Sequence, residues 1–257
     1  MNIKYSDLEN LRKFINSYKN SKIKIISKEI EKDFEIKFTH ESTKIEGNTL
    51  TIFEVKTILE DGFSVEGKKL KEIFEVINNK KAFDYIKELI ENKVEFSEEL
   101  IKDIHEIITQ NIFLGGIYRN VNVRITGASF IPPDFTKVRE EMKNFIFDYN
   151  LYKKILNPIE LSSFVHAEFV RIHPFPDGNG RTARILMNFI LMKENFKPIS
   201  IKAKEKAKYY SFLDFYGKTK LIDNLKDFTN LIMLKEYEKL LEYKLEILKL
   251  KEQDINL

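Results

Sequence analysis

The chain has 257 residues, the length of one domain or of one domain with a small helical extension. Lys+Arg 43 against Asp+Glu 40 leave a net charge of +3, which favours neither a nucleic-acid partner nor a membrane surface. Cys 0 excludes disulfides, thiol nucleophiles and Cys-ligated zinc, and fits a reducing, cytoplasmic location.

Gly 9 and Pro 6 are few, so turns are rare, helices are long and the expected fold class is all-α. Met1 to Asn20 is polar and charged, and no apolar run reaches membrane-spanning length, so neither a secretory signal nor a transmembrane anchor is expected. Leu8, Leu11, Phe14 and Ile15 mark a first helix, and a second apolar pattern runs over about 26–45. Thr51 with Glu54 three residues on forms a capping box ahead of Val55, Ile58 and Leu59. Further helices are predicted near 68–92, 97–112, 136–150, 158–171, 181–194, 204–216 and 223–250. Residues 120–135 break the pattern: Val121, Val123 and Ile125 alternate with Asn122 and Arg124, then a Thr-Gly turn and a Pro-Pro pair follow. That is hairpin chemistry, either a small surface hairpin or a sheet edge that docks another chain by strand addition. The segment EYEKLLEYKLEILKLKEQ (236–253) predicts a helix that packs or self-associates along its Leu/Ile stripe. The expected organisation is N-terminal helices over 1–95, a core over 96–235 and a helical extension over 236–257.

The chemistry concentrates in HPFPDGNGRTAR, residues 173–184, a loop between two apolar helical patterns. Gly178 and Gly180 let backbone N–H groups approach a ligand, and the following helix adds unpaired donors and a positive dipole end. Arg181 and Arg184, three apart, share one helix face. Two guanidinium forks beside a nest of amides suit a polyphosphate. Asp177 beside such a site makes sense if a divalent cation lies between carboxylate and phosphate, and Mg²⁺ is bound in that way. His173 is the one side chain of the loop able to take a proton near neutral pH. Base, metal ligand, phosphate cradle and charge clamp together fit transfer of a phosphorus-centred group from a nucleotide to a hydroxyl. His40, His105 and His166 lie in helical patterns without companion carboxylate spacing, and His166 is expected to pack beneath the loop.

The string HPFPDGNGRTAR resembles the signature of the Fic family (the Fic/Doc fold), H-x-F-x-[DE]-G-N-G-R-x-x-R, at every specified position. GIYRNVNVRITG (116–127), the stretch from Phe130 to Val138, LSSFVHAEFVRI and RTARILMNFILMKEN are also similar to the family, so the likeness covers roughly 40–235. It implies a Fic-type helical domain with a small β-hairpin flap. The implied activity is protein adenylyltransfer (AMPylation), moving AMP from ATP to a Ser, Thr or Tyr hydroxyl of a target protein. On the same resemblance His173 is the general base, Asp177 holds Mg²⁺ (with Mn²⁺ as a substitute), and Gly178, Asn179 and Gly180 form the anion hole. Arg181 contacts the β/γ-phosphates, Arg184 the γ-phosphate, and Phe175 packs the loop onto the core. The flap, with Ile125, Thr126, Gly127, Phe130 and Ile131, aligns the target backbone.

STKIEG, from Ser42 through Glu46 to Gly47, fits the family's inhibitory motif [ST]-x-x-x-E-[GN], resembling the class with an N-terminal inhibitory helix in the same chain. Read from the residues alone, Gly47 and Asn48 are also ordinary helix-ending residues. The resemblance implies that Glu46 pairs with Arg184 and withholds it from ATP, and that the same Glu supports removal of AMP (deAMPylation). It also implies a homodimer. Members of this class carry an Asn near the adenine after a Tyr-Tyr pair. Here Tyr209 and Tyr210 are present on the implied adenine side, but Gly217 stands at the Asn position, which leaves the base preference open. The alternatives are a Doc-like phosphotransferase and a binding scaffold whose nucleotide pocket is only regulatory.

Overall fold

A computed structural model describes residues 3–18 and 21–255; the end residues Met1, Asn2, Asn256 and Leu257 lie outside the described residues. The elements in chain order are α1 (Tyr5–Asn16), α2 (Ser21–Ile45), α3 (Ile52–Lys56), α4 (Leu70–Glu91), α5 (Glu98–Thr109), α6 (Val138–Tyr152), α7 (Pro158–Ile172), α8 (Asn179–Lys193), α9 (Lys206–Thr219) and α10 (Lys226–Ile255). The fold is all-α among the described residues, as the sequence predicts.

Local chemistry sets several of these boundaries. The capping box at α3 forms: Thr51 N donates to Glu54 Oε2 at 2.6 Å, and Glu54 N to Thr51 Oγ1 at 3.3 Å. Asn157 caps α7, its Oδ1 accepting from Ile159 N and Glu160 N, with Pro158 in the first turn, where a missing N–H costs nothing. Such a cap contributes about 1 kcal/mol.

α7 and α8 share the most extensive helix pairing in the molecule. Their sequences are apolar nearly all round, the mark of helices enclosed on every side. Phe164, Val165, Phe169, Ile185, Leu186, Phe189 and Ile190 are buried, and each is worth about 1.5–3 kcal/mol of burial. α4 and α5 pack on α8, α6 and α9 pack on α7, and α2 lies on α4. α10 packs along α1, with Leu8 and Leu11 buried on one side and Leu240, Tyr243 and Ile247 on the other. No helix of the described residues is long and apolar enough to cross a membrane.

The expected β-hairpin is a correction: the described residues contain no strand, and 120–135 is an extended loop. Pro132 and Pro133 carry no N–H to donate to a ladder. Asn122 takes the place of cross-strand pairing with its side chain, Oδ1 accepting from Phe135 N at 2.8 Å and Nδ2 donating to Asp134 Oδ2 at 2.7 Å.

Candidate active site

The loop 173–178 joins the two central helices. His173 ends α7 in the left-handed region (φ 50°), its N–H bonded to Phe169 O at 3.0 Å. Phe175 is fully buried and stacks on His105, ring centroids 3.6 Å apart. Asn179 spends its side chain on the loop, accepting from Phe175 N at 3.0 Å and donating to Phe175 O at 2.8 Å. Its backbone N–H, with those of Gly180 and Arg181, forms the open first turn of α8 behind Gly178, which adopts φ 79°.

Two residues that pattern reading did not single out for the site hold this loop. His105, dismissed as a candidate, accepts from Gly116 N at Nδ1 (2.9 Å), so its Nε2 carries the proton and donates to Asp177 O at 2.9 Å. Burial lowers its pKa to about 4, consistent with a neutral ring. Arg119 is buried and fans its guanidinium over three carbonyls. Nε donates to His173 O at 2.9 Å, Nη1 to Val121 O at 3.0 Å, and Nη2 to Pro133 O. It thereby ties both legs of the 120–135 loop to the residue that precedes the nest. No spacing in the sequence announces an arginine whose partners are main-chain oxygens from distant segments.

The His173 imidazole is lowered to about 4, chiefly by burial, with Arg119 adding to the effect and the Val170 carbonyl opposing it. It is therefore neutral at neutral pH and able to accept a proton. Arg184 is fully buried and each of its nitrogens has a partner: Nε bonds to Ser42 Oγ at 3.0 Å, Nη2 to Ser42 O at 2.8 Å and Glu46 Oε1 at 2.7 Å, and Nη1 to Tyr209 OH at 3.5 Å. Burial disfavours its charge, yet the Glu46 carboxylate and the Tyr209 hydroxyl together outweigh that and leave the pKa raised. Glu46 also lies directly over the nest: a Cβ on Gly180 would stand 2.2 Å from its Oε1. Gly47 follows with φ 102°, turning the chain out of α2.

Arg181 differs from Arg184. It is equally buried, but its Nε and Nη1 have no hydrogen-bond partner, and its carboxylate neighbours stand off at 3.5 Å (Glu75) and 3.8 Å (Asp177). A buried guanidinium with donors that no protein group takes, beside open helix amides, has the chemistry to receive an anion. Asp177 presents one half-exposed carboxylate, and among the described residues no group of three or more His, Asp or Glu is gathered around a metal position. That donor set fits a cation shared with phosphate oxygens rather than one caged by protein.

The remaining expected residues divide. Tyr209 is buried behind Arg184 and shares a hydrogen bond with His166 Nε2 at 3.0 Å, and the buried His166 ring packs between Tyr209 and Phe228. Tyr210 packs on Tyr209 with centroids 5.2 Å apart and stays partly open. The tip of the 120–135 loop docks on α9. Ser129 N and Oγ donate to Asp214 at 2.6 and 2.5 Å, and the Phe130 ring fills the space over Gly217, where a Cβ would meet it at 2.4 Å. Ile125 and Thr126 form a turn with Gly127 (φ 82°), and Ile131 is exposed.

The helical core thus sets a histidine at the end of α7 and an amide nest and two arginines on the first turns of α8. Residues 95–191 match the model of the Fic/DOC family, so the chain carries a domain of that family. A protein adenylyltransferase Fic of Drosophila willistoni is 34% identical over 177 residues, 68% of this chain and 35% of that protein. The Drosophila erecta protein of the same name is 32% identical over 179 residues. The chain thus spans about a third of the length of these relatives. Among solved structures, a Fic domain containing signaling protein from Bacteroides thetaiotaomicron superposes with TM-score 0.83 at 25% identity, covering 92% of this chain and 95% of that one. Fic-1 (aa134–508) from C. elegans gives 0.82 at 26%, covering 95% and 72%.

Proposed function

We propose that the chain is a protein adenylyltransferase held in check by its own Glu46. The observation that carries the reading is the make-up of one loop: a neutral His173 at one end, open amides with the underbonded Arg181 at the other. A triphosphate seated on the amides and arginines puts the phosphorus under attack beside the imidazole. The target hydroxyl loses its proton to His173 as its oxygen bonds to the α-phosphorus. The bond from that phosphorus to its bridging oxygen breaks, and pyrophosphate leaves. Mg²⁺ held by Asp177 would supply charge neutralisation on the phosphates. That the group is AMP rather than phosphate is supported by the name of the Drosophila relatives. The target binds along the 120–135 loop in this reading, and a homodimer is compatible with it.

Glu46 occupies both the Arg184 fork and the space over Gly180. A γ-phosphate competing for that place meets a carboxylate, and ATP is turned away or seated unproductively. With product bound, the same carboxylate is positioned to orient a water, which gives the hydrolytic reverse reaction. The Glu46→Gly protein, given ATP and Mg²⁺ in cell extract, is expected to leave an AMP-sized mass increment on itself or a target. His173→Ala in that background should abolish it. A phosphate-sized increment would transfer the assignment to a phosphotransferase, and no adduct with any nucleoside triphosphate would end it.

A further inference from the structure

The described contacts hold a second set of ions over the same loop, and they come from α4 rather than α2. Glu75 stands 3.5 Å from Arg181, the arginine that has unpaired donors. Lys71, one helical turn earlier, places its ammonium 3.7 Å from Asp177 Oδ2 and 3.9 Å from Glu75 Oε1. Glu75 is itself held in place: Asn48 Nδ2 donates to its Oε2 at 3.0 Å and to Glu72 O at 2.9 Å, while Asn48 Oδ1 accepts from Leu50 N at 3.0 Å. Asn48 lies two residues after Glu46, so the turn that delivers one carboxylate to Arg184 also anchors the other beside Arg181.

We infer that Lys71 and Glu75 form a second, looser hold on the site, with Glu75 balancing Arg181 and Lys71 standing at Asp177 where a divalent cation would stand. This rests on the phosphate-site reading above and adds to it. The two holds differ in kind. Glu46 makes a 2.7 Å charge-assisted bond and takes up the ligand's space. Glu75, at 3.5 Å, neutralises a buried guanidinium but leaves its donors unfilled. An incoming phosphate can reach Arg181 without breaking a hydrogen bond, yet it then lies against a buried carboxylate that repels it. Lys71 acts oppositely. Its exposed ammonium screens Asp177, so a triphosphate without metal is tolerated there, and a metal ion has to displace it. Removing Glu46 alone would therefore leave the pocket half restrained.

The test uses the full chain in the Glu46→Gly background, with a non-hydrolysable ATP analogue titrated by calorimetry in chelator and in Mg²⁺. Glu75→Gln is expected to tighten metal-free binding about fivefold, because the repulsion goes while the Asn48 contact is kept. Lys71→Met is expected to weaken metal-free binding about threefold and to recover that loss at saturating Mg²⁺. A merely structural Glu75 predicts the reverse, since an unbalanced Arg181 would loosen the loop and weaken binding under both conditions. A Glu75 that helps to hold the cation predicts weakening in Mg²⁺ alone; either result overturns the inference. Equal effects of Lys71→Met with and without Mg²⁺ also overturn it, and because Lys71 is exposed that arm stands even if the Glu75 variant fails to fold. Absence of nucleotide binding by the Glu46→Gly parent would instead sink the phosphate-site reading, and this inference with it.

Discussion

A histidine that is to accept a proton at neutral pH must be unprotonated there, and His173 meets this by burial, its pKa being lowered to about 4. Its left-handed backbone and the Arg119 bond to its carbonyl fix the ring at the end of α7 without engaging it in an ion pair. Protonation at low pH removes the base, so the acidic limb of the rate profile should follow the folded pKa rather than the free-histidine value of about 6.5. In the Glu46→Gly protein, kcat/KM for AMP transfer is expected to stay level from neutral pH down to about 5. It should fall below that with a midpoint no higher than about 4, since the Glu46 charge that raises the imidazole pKa is gone, while circular dichroism shows the fold intact. A midpoint near the free-histidine value would mean that the ring is hydrated in solution and that burial does not set its basicity. Arg181 and Arg184 make the same point at the scale of single groups. They are three apart on one helix face, as the spacing predicts, yet every nitrogen of Arg184 has a partner while Nε and Nη1 of Arg181 have none.

Elements rather than residues decide whether the pocket is open, and the 120–135 loop illustrates it. Its tip is fastened to α9 by Ser129 on Asp214 and by Phe130 over Gly217. In most helices Gly→Ala gains about 0.5–1 kcal/mol, because alanine is the better helix former. At Gly217 the added methyl would lie 2.4 Å from the Phe130 ring, so the ring must leave. Gly217→Ala is therefore expected to raise hydrogen exchange at the Ser129 amide at least about tenfold, with little gain in melting temperature. An unchanged exchange rate would show that the tip is not seated on α9. The helices were legible in the sequence because their signals are local: Thr51 with Glu54, Asn157 with Pro158, and apolar residues repeating at helical spacing. The loop was not. Alternation of Val121, Val123 and Ile125 signals a strand only if a partner strand has free N–H groups, and Pro132 and Pro133 have none. Glu75 carries no signal in the sequence for a related reason. On α4 it looks like any glutamate of a charged helix face, and only packing against α8 shows that its neighbour is a buried arginine.

At the scale of the whole molecule, the active loop rests on helices that are in turn clasped by α1 and α10, and one buried acid sits in that clasp. Glu236 of α10 is fully buried, accepts from Lys197 N at 2.8 Å through Oε1, and leaves Oε2 without a partner. Nearby, Arg12 of α1 bonds Glu194 O at 3.0 Å and lies 3.9 Å over the Phe196 ring. Burial raises the Glu236 pKa from 4.5 to about 8, with the Lys197 amide opposing it. Between those two values the folded chain holds a proton that the unfolded chain has released, so unfolding is favoured as pH rises. Stability from this group is complete below about 4.5 and is lost by about 8, the opposite of an ordinary salt-bridged carboxylate. Glu236→Gln keeps an acceptor for Lys197 N and removes the titration. Thermal melts of the two proteins should nearly coincide at pH 5, and the variant should melt higher by about 4 °C or more at pH 9. Melting curves that stay parallel across that range would mean that Glu236 is ionised in the folded chain, with water reaching it between α1 and α10.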